Sequence, residues 1–353
     1  MNLRDGVKTS DNKVSAETEK LADFVKDESK SLIDRLECYE DIINLEVGDT
    51  ALNRAKTLER EFDIRQLYIK YEGDNPTGTQ KDRIAFAQMY DALRRKYEVT
   101  SLATCGNYGV AVALAANLAG IKCKIYIPDS YQTDRFEEMK SLGAEIIQLP
   151  GSYEDVVHKS SALAQENDWY DANPGGANTP LQISAYSQIA FEIIEELGDA
   201  PKYCAAPVSN GTLFAGIYRG FVSMYKRGKT SRIPKMIAAS SSRKNPIVQS
   251  FIQGLDYCKD LDPQAAKETK YNEPLVNWHS FDGEEALYAL IQSEGSAYNI
   301  SDKKMKEMSG FLLKKEGLRI LPAATAGLIA LLEMDEKFNF EPDRYVSVLT
   351  AKY

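Results

Sequence analysis

Histidine, closely spaced cysteines and long apolar runs are all scarce in this sequence, and each shortage argues against a class of function. Only two histidines, His158 and His279, occur in 353 residues, so an imidazole-centred mechanism has few candidates; a surface or packing role is the commoner reading of both. The five cysteines, Cys38, Cys105, Cys123, Cys204 and Cys258, show no C-x-x-C pairing. Their odd number suits free thiols in a reducing compartment and suggests neither a disulfide framework nor a zinc site. Positive charge is also in deficit, with 43 Lys and Arg against 52 Asp and Glu and a net charge of -9. That balance gives no electrostatic reason to bind nucleic acid or an anionic membrane. The longest mainly apolar runs, VAVALAANLAGI and ILPAATAGLIALL, are too short to span a bilayer, and the first residues, MNLRDGVKTSDNK, lack the apolar core of a secretion signal. A cytoplasmic protein acting on a small molecule is the expectation that remains.

What the sequence does have is alternation. From about residue 65, short β-rich runs are each followed by a helical segment: QLYIKY, then VTSLATC before GNYGVAVALAANLAGI, KCKIYIP before TDRFEEMKSLG, and AEIIQLP before SYEDVVHKSSALAQEN. Further on, YCAAPVS precedes GTLFAGIYRGFVSMYKRG, PKMIAAS precedes a mixed segment, and YVSVLTA is an apolar strand. Repeated βα units predict twisted, mainly parallel sheets with helices on both faces, in an α/β protein. Residues 1–35 are charged and helix-compatible and predict an N-terminal helical arm, while QGLDYCKDLDPQAAKETKYNEP has little periodicity and reads as a surface excursion.

Three stretches stand at strand ends or helix starts. In EGDNPTGTQKDR a turn of Asn75, Pro76, Thr77 and Gly78 leads into Lys81 at the start of an apolar helix. An amine there feels the positive helix end and loses hydration, which disfavours its ammonium form, and a neutral amine is a nucleophile that forms Schiff bases. TCGNYG, residues 104–109, follows a strand and opens a helix, where open α/β sheets bind ligands. PVSNGTLFAGIYRGF repeats that arrangement, and the N–H groups from Ser209 to Leu213 would seat a phosphate. Each stretch alone has a bland reading: a solvated lysine, an Asn-capped turn, an ordinary strand-to-helix loop. Together they suit a ligand carrying both an aldehyde and a phosphate.

These stretches resemble the fold-type II family of pyridoxal phosphate (PLP) enzymes, and within it the threonine synthase branch, with similarity also to cysteate and cysteine synthases. NPTGTQKDR is similar to that family's N-P-T-G-S-F-K-D-R, TCGNYG to S-G-N-T-G, and PVSNGTL to P-V-G-N-G. EVGDTAL, IAFEIIEELG, the EGLRILPAATA stretch and VSVLTAKY extend the resemblance in order over roughly residues 45 to 353. The resemblance implies pyridoxal 5'-phosphate as cofactor, with Lys81 forming the internal aldimine and then serving as base. It implies contacts to the cofactor from Asn107 at the ring hydroxyl, from Ser209, Asn210, Gly211, Thr212 and Leu213 at the phosphate, and from Thr350 opposite the pyridine nitrogen. A neutral hydroxyl at that nitrogen favours elimination and replacement over transamination. It places Thr79, Thr104, Cys105, Gly106 and Tyr108 beside the substrate, and no metal.

The sequence departs from the family pattern at Thr79 and Gln80, at Tyr108 and at Ser209, and it lacks the E-G-Q-K-T pattern ahead of AFEI. Tyr108 either narrows the space near a substrate carboxylate or offers it a phenol. The expected activity is therefore elimination or replacement at the β or γ carbon of an amino acid, by a threonine synthase-like lyase. The alternatives are a cysteine or cysteate synthase-like β-replacement on O-activated serine, and a non-catalytic PLP-binding module. The resemblance further implies a large domain of residues 1–87 plus 191–353, a small inserted domain of residues 88–190, and a homodimer.

Overall fold

The computed structural model describes residues 3, 14–104, 106–131, 135–264 and 266–353. The chain begins with α1 (Ala16–Lys26), α2 (Leu32–Glu46), β1 (Leu52–Arg54), α3 (Lys56–Phe62) and β2 (Leu67–Tyr71). It continues through α4 (Lys81–Arg94), β3 (Val99–Ala103), α5 (Asn107–Ala119), β4 (Lys122–Pro128), α6 (Arg135–Ser141), β5 (Glu145–Leu149), α7 (Tyr153–Glu166) and β6 (Tyr170–Asp171). Next come α8 (Thr179–Leu197), β7 (Tyr203–Pro207), α9 (Thr212–Lys226), β8 (Lys235–Ser241) and α10 (Pro246–Ile252). The last elements are α11 (Gly283–Gln292), β9 (Ser296–Ile300), α12 (Asp302–Glu316), α13 (Ala326–Phe338) and β10 (Tyr345–Leu349).

Contacts divide these elements into two compact units. One comprises Asp49–Asp74 and Tyr186–Tyr353, with Leu3; the other comprises Asn75–Ala185 with the described part of Thr9–Gly48. The sequence placed the small domain at residues 88–190. In the structure the helices α1 and α2 pack on α5 and α4, and so the N-terminal arm and the turn leading to Lys81 group with it. Both arm helices begin at serine caps, Ser15 accepting from the Thr18 N–H and Ser31 from that of Asp34, which satisfies backbone donors that the first turn leaves unpaired.

The first unit holds a six-stranded sheet in the order β1-β2-β10-β7-β8-β9. Only β1 is antiparallel; the other neighbours are parallel. Strand β10 is buried along its whole length, as its near-continuous apolar sequence requires of a central strand covered on both faces. Helix α13 packs across β7, β8, β9 and β10, and Ile69, Ile237, Ile300 and Leu331 belong to the same core. A cation is buried within this unit among the described residues: Lys70 of β2 is fully buried, paired with Glu192 of α8 at 2.5 Å and donating to the Thr50 carbonyl at 2.5 Å.

The second unit holds a four-stranded parallel sheet in the order β5-β4-β3-β6. Its strand order reverses between β5 and β6, so right-handed crossovers put α7 on the face opposite α5 and α6. Helix α7 starts in a capping box between Ser152 and Asp155, and α5 ends at Gly120 in the left-handed conformation (φ 73°) that glycine adopts without strain. The stretch QGLDYCKDLDPQAAKETKYNEP runs largely exposed between α10 and α11, as its lack of periodicity predicts.

Candidate active site

The residues expected at the site fall in two groups, one in each unit. In the four-stranded unit Lys81 is the first residue of α4. The turn before it is closed by Asp82, whose carboxylate accepts from the Thr77 N–H at 2.9 Å and the Thr77 hydroxyl at 2.8 Å, and by the Gly78 N–H donating to the Asn75 carbonyl at 2.8 Å. Asp82 thereby holds the loop that delivers the lysine, a structural role. Thr79 is buried, and its hydroxyl donates to Gln80 Oε1 at 2.6 Å.

The second stretch leaves β3 and enters α5. Asn107 is the first residue of α5 and is half-buried; a Cβ added at Gly106 beside it would meet nothing within 4 Å, so backbone there is open to close approach. A Cβ added at Gly109 in the first turn of α5 would stand 2.7 Å from Met139 Cε and 2.8 Å from Thr104 Cγ2, so a larger residue there requires those side chains to move. Cys105 lies outside the described residues. Because β3 neighbours both β4 and β6, its carboxyl end is the switch point of this sheet, the position at which open α/β sheets bind ligands.

Tyr108 joins the two stretches. The Lys81 Nζ sits 5.5 Å from the centroid of the Tyr108 ring. The phenol points into the protein, donating to the Ala172 carbonyl at 2.6 Å and accepting from Gln88 Nε2 at 2.6 Å. Burial pushes this phenol well above its ordinary pKa, so it stays a neutral donor. The Gln88 amide spends its other proton on the Ile84 carbonyl at 3.1 Å, and its oxygen accepts from Gln182 Nε2 at 3.1 Å, which also donates to the Asn173 carbonyl at 3.1 Å. Every proton of this buried network has an acceptor, and the Tyr108 hydroxyl has no proton left for a ligand.

In the six-stranded unit the loop after β7 leads through Ser209 and Asn210 to Gly211, the residue before α9, at φ 103°. Residues Ser209 to Leu213 present their N–H groups at the start of a helix of 15 residues, and among the described residues no backbone carbonyl accepts from them. Behind the loop stands a polar frame. Asn245 donates to the Ser209 carbonyl at 3.0 Å, Ser280 donates to the same oxygen at 3.3 Å, and Asn277 donates to Asn210 Oδ1 at 3.3 Å. The Asp282 N–H donates to the Asn210 carbonyl at 2.9 Å, and the Asp282 carboxylate accepts from the Thr212 hydroxyl. Thr212 thus faces a ligand with its N–H alone.

Strand β10 lies beside β7 and parallel to it, and Thr350 directly follows β10 and is buried. Here too the strand order reverses, since β8 and β9 run outward from β7 while β10 returns on its other side. The phosphate-type loop and Thr350 therefore share one switch point.

Thiol chemistry has little support here: burial pushes Cys123, Cys204 and Cys258 each up to about 12, which holds them as thiols at neutral pH. Among the described residues no group of His, Cys, Asp and Glu could hold a metal. His158 is exposed, and His279 contacts Asp260 at 2.8 Å near the surface.

A ligand carrying both an aldehyde and a phosphate makes two demands on these residues. A dianionic phosphate suits a row of backbone N–H groups backed by a helix dipole, and at Gly211, with φ 103° and the Asp282 carbonyl 2.5 Å from where a Cβ would stand, only glycine lets the loop take this path. The aldehyde suits a primary amine at a helix start beside open backbone. The residues fit. Reading the sequence alone missed the frame of Asn245, Asn277, Ser280 and Asp282 and the pair Gln88 and Gln182. Asn245 was within reach, because Asn before Pro246 is a helix-start signal and its side chain accepts from the N–H groups of Ile247 and Val248.

Comparison with known proteins agrees with this chemistry. The family described as "Pyridoxal-phosphate dependent enzyme" matches residues 43–351. Threonine synthase of Methanocaldococcus jannaschii is 29% identical over 329 residues, covering 93% of this chain and 77% of that protein. Among solved structures, maize serine racemase superposes with a TM-score of 0.73 at 19% identity, covering 91% of this chain and 94% of the other. The processed form of threonine deaminase isoform 2 from Solanum lycopersicum gives 0.71 at 17% identity, covering 91% and 90%. These structural likenesses show the shared α/β fold, while the family match spans both groups of residues. With that match over most of its length, the chain belongs to the pyridoxal-phosphate dependent enzymes of fold type II, with threonine synthases among its relatives and pyridoxal phosphate as its cofactor.

Proposed function

We propose that this chain catalyses elimination or replacement at the β or γ carbon of a small amino acid, in the manner of the threonine synthases it resembles. One observation carries the reading: the first residues of α4 and α5 meet, with the Lys81 amine against Tyr108 and Asn107 next to it in the chain. When bound, the cofactor supplies an aldehyde that condenses with amines and a conjugated ring that draws in the electron pair left when a bond at the substrate Cα breaks. Lys81 would hold the cofactor through Nζ, and the same Nζ, when free, would take the proton from a substrate's Cα and return it. The Asn107 amide would orient the cofactor. The N–H groups of Ser209, Asn210, Gly211, Thr212 and Leu213 would bind its phosphate, and Thr350 would offer its ring a neutral hydroxyl. Thr79, Thr104, Gly106 and Tyr108 border the substrate, Tyr108 as an apolar wall, since its hydroxyl proton is engaged elsewhere. A homodimer is part of this reading and is checked by sedimentation.

The test is the visible absorption spectrum of the purified protein before and after borohydride, compared with Lys81→Ala and titrated with a panel of amino acids. The expected result is a yellow, reducible chromophore in the natural protein alone, shifted by amino acids of the substrate class. A protein that stays colourless with added pyridoxal phosphate, or a Lys81→Ala variant with unchanged turnover, would overturn the reading.

A further inference from the structure

The tyrosine beside Lys81 is bound in an unusual way. A side chain placed only to narrow a substrate site needs no more than its bulk, yet Tyr108 is anchored at its far end by two short hydrogen bonds and is buried. One anchor is Gln88, which belongs to the same helix as Lys81, seven residues on. Seven residues are nearly two full helical turns, so both side chains leave α4 on one face. The ring thus spans that face, its hydroxyl on Gln88 and its π-surface against the amine, and Gln182 in turn fixes the Gln88 amide.

From this geometry we infer that Tyr108 is a positioning residue for Lys81, a rigid aromatic rest set by Gln88 that holds the amine in place. The electron-rich face of the ring attracts the ammonium form and shields it from water on that side. The inference rests on the reading of Lys81 as the cofactor-binding amine, and extends it from the lysine to the two side chains that set where its Nζ lies.

The experiment is reductive methylation of the full-length protein without cofactor, with labelling at Lys81 read by mass spectrometry relative to Lys122 and Lys140, exposed lysines of the same unit. The reagent attacks the neutral, accessible amine. Tyr108→Leu is expected to raise the Lys81 to Lys140 ratio about 2- to 5-fold, the range that one cation–π contact supplies at a partly exposed amine. Tyr108→Phe keeps the ring and is expected to rise by less than Tyr108→Leu. General loosening of the unit would raise Lys81 labelling in Tyr108→Phe and Tyr108→Leu alike while the exposed Lys122 and Lys140 stay constant, so equal rises in the two variants also overturn the inference. A flat ratio in Tyr108→Leu overturns the inference. Should that variant fail to fold, Gln88→Leu, which removes one of the phenol's two anchors without touching the amine, decides: a raised ratio supports the rest, and an unchanged ratio overturns it. Separately, wild-type protein treated with pyridoxal phosphate and borohydride must carry the pyridoxyl mass on Lys81. If that mass is absent while the ratio responds, the cofactor reading fails and the aromatic rest stands.

Discussion

Replacing Gly211 by alanine tests whether the loop after β7 is built around an absent side chain. Two costs add at this position. The backbone sits at φ 103°, where an L side chain is strained by about 1–2 kcal/mol. The new methyl would also stand 2.5 Å from the Asp282 carbonyl oxygen and 3.0 Å from Ala286 Cβ; both are parts of a packed neighbouring segment and give way only at an overpacking cost of about 1–3 kcal/mol. The expected loss is therefore about 2–5 kcal/mol. Gly228→Ala is the control, because it has φ 68° but nothing within 4 Å of the added methyl, and so carries the backbone cost alone. Unfolding in urea, followed by Trp278 fluorescence in a Trp169→Phe background, reports on the six-stranded unit specifically, since Trp278 and Gly211 both belong to it and Trp169 does not. The difference between the two alanine variants is expected to be at least the clash, about 1–3 kcal/mol, since φ 103° also suits an L residue less well than φ 68°. Cofactor affinity should fall in Gly211→Ala and hold in Gly228→Ala. Equal midpoints and equal affinities in the two variants would refute the reasoning, because the Asp282 carbonyl would then not be where the packing requires it.

Two further outcomes follow from charged pairs in the same unit. Lys70→Met leaves the Glu192 carboxylate without its buried cation and is expected to cost about 3–5 kcal/mol in the same urea assay, whereas a loss under 1 kcal/mol would mean the pair is wet. Asp343 is held below its ordinary value of 3.8, first by hydrogen bonds from Arg232 and against the cost of its partial burial. Its folded pKa is the lower one, so its contribution is complete above 3.8 and disappears as the pH falls through the folded value. Asp343→Asn should accordingly be less stable than wild type at neutral pH and converge with it in acid, and a gap that persists undiminished at low pH would contradict this.

Much of the fold was readable because parallel strands announce themselves. KCKIYIP and YCAAPVS are apolar almost throughout and end in turn signals, and they became β4 and β7 within a residue or two. SAYNI, by contrast, reads as nothing in particular. It forms β9 at the sheet edge, where one side lacks a partner strand and the side chains are only partly buried, so no strong pattern is demanded of it. The lysine, the asparagine loop and the phosphate-type loop were legible because turn chemistry and helix starts constrain residue type locally. Their supports were not. Gln88 and Gln182 are far apart in the chain, and a buried glutamine carries no periodic signature; its role exists only when α8 is laid against α4. The same holds for Asp282, whose bond to Thr212 depends on a loop seventy residues away.

Strand β10 has a consequence for how this protein comes into being. Among the described strands it comes latest in sequence yet lies inside its sheet, pairing Leu67 with Tyr345 on one side and Tyr203 with Tyr345 on the other. During synthesis the four-stranded unit has all its strands early, whereas β2 and β7 must wait, edges bare, until Tyr345–Leu349 leaves the ribosome. Closing that gap joins the most distant parts of the sequence, the slowest kind of contact to make. Until it closes, Thr350 has no place to sit, so whatever binds at the end of β10 waits on the joining of residues 67–71 with residues 345–349.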